Sequence, residues 1–284
     1  MIDLVMVGEN FRELRRARGL VLKDLGNSKV SASQIGKFER GQTSITVDKM
    51  FYIIDRMNIT IEEFFHILNG YEGSSFSQDM RTIHSAFLKK DIVKIKKFID
   101  KESVKINSID FYSRLNIIMF KNLARMLDKT IDIAEKDIEF LADYLISIDI
   151  WTEYEVVIFS NCMDILPVPL TISLGKDLLS RTAFYHNIPQ NKKKIQHTLV
   201  NLYQNMIDSN EKQAAICFGN ELFMLLDERD SFEMIHYVFL KSIFNYKFCS
   251  KKEALYDIEN QISALETLGF IDIARKFREK VTML

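Results

Sequence analysis

Apolar residues recur at three- and four-residue intervals along this chain, the spacing of one face of an α-helix. Phe11, Leu14 and Ala17 mark a first helix that Gly19 stops, since glycine enters the positive-φ conformation of a helix end at little cost. Leu22 and Leu25 mark a brief second helix ending near Gly26. Ser31 is a suitable N-cap for a third, from Ala32 to about Arg40, closed again by Gly41. Val47, Met50, Ile53, Ile54 and Met57 form the apolar stripe of a fourth. Thr60-Ile-Glu-Glu63 reads as a capping box that opens a fifth helix, with Phe64, Phe65 and Ile67 facing inward.

Beyond residue 78 the helical pattern continues in longer segments, and the segments repeat. One set of amphipathic segments begins near Lys136, Thr171, Glu211 and Lys251; a second begins near Tyr154, Lys194, Phe232 and Ile271. A period of about 35–41 residues is that of helix–turn–helix solenoid units, which bury their stripes only by stacking on neighbours. In the last units Leu255, Ile258, Ile262 and Leu265 share one face, and Ile273, Phe277 and Val281 another. No residue recurs at every period, so the repeat is TPR-like. With 10 Gly and 3 Pro in 284 residues, turn-forming residues are scarce, and the fold class is all-α.

Charge divides the chain. Residues 12–40 hold eight Lys or Arg against three Asp or Glu, a surplus of +5, whereas the whole chain sums to −1. Everything outside that window therefore sums to −6, a split that reads as a basic head on a larger acidic body. The segment Gly70-Tyr-Glu-Gly-Ser-Ser-Phe-Ser77 reads as a linker, which sets a head at 1–69 and a body at 78–284.

Several classes drop out. Cys162, Cys217 and Cys249 are odd in number, far apart and set among apolar residues, the pattern of buried thiols and not of a disulfide scaffold or zinc site. The five histidines form no metal-binding motif, and Walker, nucleotide-fingerprint and serine-elbow motifs are absent, so neither a metal, a cofactor nor an enzyme is expected. No apolar run is long enough to span a bilayer, and the N-terminus does not read as a signal peptide; a cytoplasmic protein is expected, with no membrane partner. The Lys192-Lys-Lys194 run reads as a solvated helix start.

The head has the spacing of a helix-turn-helix. In its third helix Ile35 and Phe38 face the core, and Ala32, Ser33, Gln34, Gly36 and Lys37 project outward. Small leading residues let such a helix sink into a major groove about 12 Å wide, where Ser33, Gln34 and Lys37 reach base edges. Arg12, Arg16, Lys29 and Arg40 are placed to neutralise phosphates, and Arg15 joins them in the basic face.

Leu14-Arg-Arg-Ala-Arg-Gly19 and Val30-Ser-x-Ser-Gln-Ile-x-x-Phe-Glu-Arg-Gly41 resemble the phage-repressor-type (XRE) helix-turn-helix. With the Met-rich fourth helix and Asn58-Ile-Thr-Ile-Glu-Glu-Phe64, the head is similar to the Rgg (MutR-type) regulators of Gram-positive bacteria. Trp151-Thr-Glu-Tyr-Glu-Val-Val-Ile-Phe-Ser-Asn-Cys162 resembles that family's Trp-x-x-Tyr-Glu…Asn-Cys segment. The resemblance implies an Arg15–Glu39 ion pair tying the first helix to the recognition helix, and a homodimer on paired half-sites of double-stranded DNA. It also implies a helical-repeat body whose concave face receives a short signalling peptide, as in quorum sensing. Val47 stands where some members carry a crosslinking cysteine, and Lys23 substitutes for the usual polar phosphate contact of helix two.

A peptide site of this kind needs side chains that bond an extended backbone, and asparagine offers both donors and an acceptor. Asn161, Asn201 and Asn205 are the candidates, with Arg181 for a terminal carboxylate and Phe159 and Tyr237 as apolar walls. The alternative is a DNA-binding regulator whose body docks another protein through a flat apolar patch.

Overall fold

The computed structural model describes residues 3–70, 75–106, 111–182, 189–282 and 284, and every regular element among them is helical. Two compact units divide between Ser85 and Ala86. The first holds α1 (Leu4–Ala17), α2 (Leu22–Leu25), α3 (Ala32–Glu39), α4 (Val47–Arg56) and α5 (Ile61–Leu68). The division falls within α6 (Ser75–Leu88). Residues 71–74 of the expected linker lie outside the described residues. Ser75, Phe76 and Ser77, also expected there, form the first turn of α6.

The ends of the head helices follow their sequence signals. Gly19 and Gly41 adopt φ of +69° and +66°, past the ends of α1 and α3. The Ser31 hydroxyl accepts from the Gln34 amide at 3.1 Å. At α5 the box closes both ways: Glu63 N–H donates to Thr60 Oγ1 at 3.1 Å, and Thr60 N–H to Glu63 Oε2 at 2.7 Å.

The head core is Phe11, Leu25, Val30, Ile35, Phe38, Ile53, Ile54, Met57, Ile59 and Phe64. Phe11 sits at its centre, edge-on to Phe38 and Phe64 with centroids 5.5 and 6.2 Å away. Two expected core residues are outside it: Val47 is 61% and Phe65 46% exposed. Phe65 lies about 100° round α5 from Phe64, which turns it off the face that packs on the core.

The body comprises α7 (Ile92–Ile106), α8 (Phe111–Leu127), α9 (Glu135–Ser147), α10 (Glu153–Cys162), α11 (Val168–Arg181), α12 (Pro189–Asp208), α13 (Lys212–Leu225), α14 (Ser231–Phe248), α15 (Lys251–Thr267) and α16 (Ile271–Val281). Both expected sets of segments are present, α9, α11, α13, α15 and α10, α12, α14, α16. The largest departure is α12, which starts at Pro189, ahead of Lys194, because proline is suited to a first turn and the polar residues after it show no stripe. Neighbouring helices pack in the pairs α7–α8, α12–α13 and α14–α15, and α8, α10, α12 and α14 pack successively on one another.

Close approach in that stack depends on glycine. A Cβ on Gly175 of α11 would fall 2.6 Å from Phe218 Cζ, and one on Gly219 of α13 3.1 Å from the Tyr203 ring. In α15 the buried stripe is Ala254, Ile258, Ile262 and Leu265, while Leu255 is 41% exposed. The cysteines differ among themselves: Cys162 is buried, Cys217 half-buried and Cys249 exposed.

Candidate functional site

In the head, α2, a turn and α3 form the helix-turn-helix. Asn27 shapes the turn: its Oδ1 accepts from the amides of Lys29 and Val30 at 2.7 and 2.8 Å, and its own N–H donates to Val30 O at 2.8 Å. Arg56 of α4 braces α2 from outside, donating to Asp24 O at 2.8 Å. Gly36 does not project outward as expected. It is buried where α3 meets α2, and a Cβ there would lie 3.2 Å from Leu22 Cδ1.

Arg15 and Glu39 form the expected ion pair. Nε donates to Oε1 at 2.6 Å and Nη2 to Oε2 at 2.7 Å, while Nη1 donates to Leu20 O at 2.6 Å. Hydrogen bonding to Glu39 holds the Arg15 guanidinium above its usual range. The pair is buried, so Arg15 is removed from the set of DNA-contacting side chains. Its bidentate fork instead fixes the last turn of α3 to α1. Gly8 of α1 makes a second fixation: a Cβ there would lie 2.3 Å from Phe38 O.

The other basic and polar candidates reach the surface. Ser33, Lys37, Arg16, Lys23, Lys29 and Arg40 are exposed, and Arg12 and Gln34 are half-buried. Arg40 Nε donates to Gln42 Oε1 at 3.2 Å, and Lys49 Nζ to Gln34 Oε1 at 3.5 Å. Sequence reasoning missed Lys49, Asn27 and Gly8. Asn27 alone carried a local signal, as an asparagine following glycine between two helices.

In the body the matched segment builds a joint between helices. Trp151 is fully buried, 5.2 Å from the Phe159 ring, so Phe159 is core and not a wall open to a ligand. Burial drives the Glu155 carboxyl upward, but hydrogen bonds from Tyr144 and from the hydroxyl and amide of Thr152 outweigh it and leave it below the ordinary carboxylate range. Arg181 is likewise engaged. Its Nη1 donates to Leu145 O and Ile148 O at 2.9 and 2.8 Å, and Nη2 pairs with Asp177 at 3.3 Å. It closes the C-terminal end of α9 rather than holding a ligand carboxylate.

The asparagines divide. Asn161 Nδ2 donates to Val157 O of its own helix at 2.8 Å, and its backbone oxygen accepts from Asn122 at 2.8 Å. Asn201 is exposed and bridges α12 to α10, donating to Ser160 Oγ at 3.0 Å. Asn205 is half-buried. Tyr237 is buried in a stack with Phe223 and Tyr203, centroids 5.4 and 6.2 Å away.

Lysines expected in solvent are paired: Lys192 with Asp227 and Asp230, Lys193 with Glu233, and Lys194 with Glu153. Thus the surface where α10, α12 and α14 meet carries Ser160, Asn161, Asn201 and His197, the last 3.2 Å from the buried carboxylate of Glu233. No helix of the described residues is long and apolar enough to cross a membrane.

The sequence profile of "HTH-type transcriptional regulator Rgg, C-terminal domain" matches residues 96–279. Among solved structures, the SHP pheromone receptor Rgg2 of Streptococcus dysgalactiae superposes with a TM-score of 0.81 at 21% identity, over 96% of this chain and 98% of that one. A protein of Listeria monocytogenes EGD-e gives 0.83 at 19% identity, over 99% and 97%. The PrgX/cCF10 complex gives 0.70 at 16% identity, over 98% and 92%. The profile match spans more than half of the chain, which therefore belongs to the Rgg family of helix-turn-helix-type transcriptional regulators.

Proposed function

We propose that the chain is a sequence-specific, double-stranded-DNA-binding regulator, acting in the cytoplasm as a homodimer on paired half-sites, and that a short signalling peptide controls it. The observation that carries the DNA reading is α3. Ser33 and Lys37 stand exposed on a helix whose far end Arg15 and Glu39 lock in place. Gln34 and Lys37 read base edges. Arg12, Arg16, Lys23, Lys29 and Arg40 contact phosphates, with Lys49 beside Gln34 as an addition.

The peptide lies on the joined surface of α10 and α12. Asn161 and Asn201 each spend one donor within the protein and keep a carbonyl oxygen for a backbone N–H; Asn205 extends the row one turn further. The receptor Rgg2, a pheromone receptor by description, and PrgX, solved with cCF10, have this fold. Arg181, Phe159 and Tyr237 drop out of the proposed contact set, each being consumed by internal packing or hydrogen bonds.

A ligand alters DNA binding only if it binds the two arrangements of the protein unequally. The test is fluorescence anisotropy of a labelled promoter duplex with the full chain, with and without short synthetic apolar peptides. An active peptide shifts the DNA dissociation constant, and Asn201→Ala blunts that shift without altering DNA affinity in its absence. If no peptide of the panel either binds or shifts DNA affinity, the protein-docking reading of the body takes its place.

A further inference from the structure

The ends of four helices line a pocket of about 360 Å³ in the body: Asp208 of α12, Tyr246 and Lys247 of α14, Lys251 of α15, Lys280 of α16, with Leu284 beside them. Its volume is in the range of small-molecule sites, roughly 300–1,000 Å³. Three ammonium groups face one carboxylate, so the lining carries a net charge of +2. Even with a carboxylate counted on Leu284, one positive charge is left over.

The three lysines are not equivalent. Lys280 spends its charge on Asp208, donating to Oδ1 and Oδ2 at 2.8 and 2.7 Å. Lys247 donates to the carbonyl oxygens of Ile207 and Asp208 and so closes the C-terminal end of α12 without neutralising a formal charge. Lys251 lies 5.3 Å from the Tyr246 ring centroid, and no carboxylate among the described residues pairs with it. It is also the first residue of α15, and the Ser250 side chain before it makes no cap bond. The first turn of α15 thus receives no cap from the Ser250 side chain and begins at a lysine which, like Lys247, lacks an anionic partner among the described residues.

We propose that this pocket binds a small phosphorylated molecule, its phosphate seated among Lys247, Lys251 and the first turn of α15. A phosphate offers several acceptor oxygens for these donors and a negative charge for a lining that is positive on either count. A carboxylate offers only two acceptor oxygens to the same donors. The site lies in the body and is independent of the peptide reading. Because four helices contribute to it, occupancy ties their ends together and gives the body a second chemical input.

Calorimetric titration of the full chain with sodium pyrophosphate at low ionic strength tests the assignment. Saturable binding is expected, weakened about tenfold or more in Lys251→Ala and restored in Lys251→Arg, since a charge-assisted contact is lost and regained. A head variant, Arg16→Ala with Lys37→Ala, retains the binding. Absence of saturable binding, or binding that survives Lys251→Ala and disappears in the head variant, overturns the proposal. Citrate binding as tightly as pyrophosphate overturns the choice of phosphate.

Discussion

Arg15 and Glu39 are 24 positions apart and form a buried ion pair in which both carboxylate oxygens and all three guanidinium nitrogens are hydrogen-bonded. Such a pair contributes modestly in total, because desolvation offsets attraction, but half of it is costly to keep. Arg15→Met should therefore destabilise the head by about 3–5 kcal/mol, and Arg15→Met with Glu39→Met should recover much of that loss. Urea unfolding checks it; equal stability of the single and double variants would contradict the reading. Glu155 makes a pH prediction. Its carboxyl titrates lower in the folded than in the unfolded chain, so its stabilisation is complete above about pH 4.5 and is lost as pH falls below that. Glu155→Gln should lower the melting temperature at neutral pH and flatten the acid limb of the melting curve. Retention of the full acid limb in that variant would rule Glu155 out as its source.

Element boundaries were legible because their causes are local. Gly19, Gly41, Ser31 and the Thr60–Glu63 box act within a turn of where they stand, and each acts as read. The repeat of the body was legible for a related reason: each unit must bury one stripe, so its period surfaces in sequence. What stayed hidden depends on neighbours remote in sequence. Arg181 finds the carbonyls of residues 145 and 148, and Gly36 is buried only because Leu22 crosses it. Likewise Tyr237 looked like a wall because its stacking partner, Phe223, comes from another helix. Gly8 belongs to the hidden class and gives an element-scale prediction. Gly8→Ala places a methyl group against the Phe38 carbonyl and pushes α1 away from α3, an overpacking cost of about 1–3 kcal/mol. Because α3 is displaced, DNA affinity should fall even at temperatures where circular dichroism shows the variant folded. Unchanged affinity would show that α1 does not position α3.

At the scale of the molecule, a net charge of −1 hides a surplus of +5 confined to residues 12–40; the head as a whole carries only +1, ten Lys or Arg against nine Asp or Glu, so the basic excess belongs to the helix-turn-helix segment and not to the whole head. That partition suits a protein that approaches duplex DNA with one face and repels it with the rest. The most direct measurement is selection of DNA duplexes from a randomised library by the full-length protein, followed by sequencing. The account predicts enrichment of a two-fold-symmetric site with half-sites about one helical turn apart. Lys37→Ala should relax the preference at individual base pairs, and Arg16→Ala should weaken all sites while lowering the salt slope by about one. No enrichment by the wild type, or an enriched site that both variants leave untouched, would contradict it.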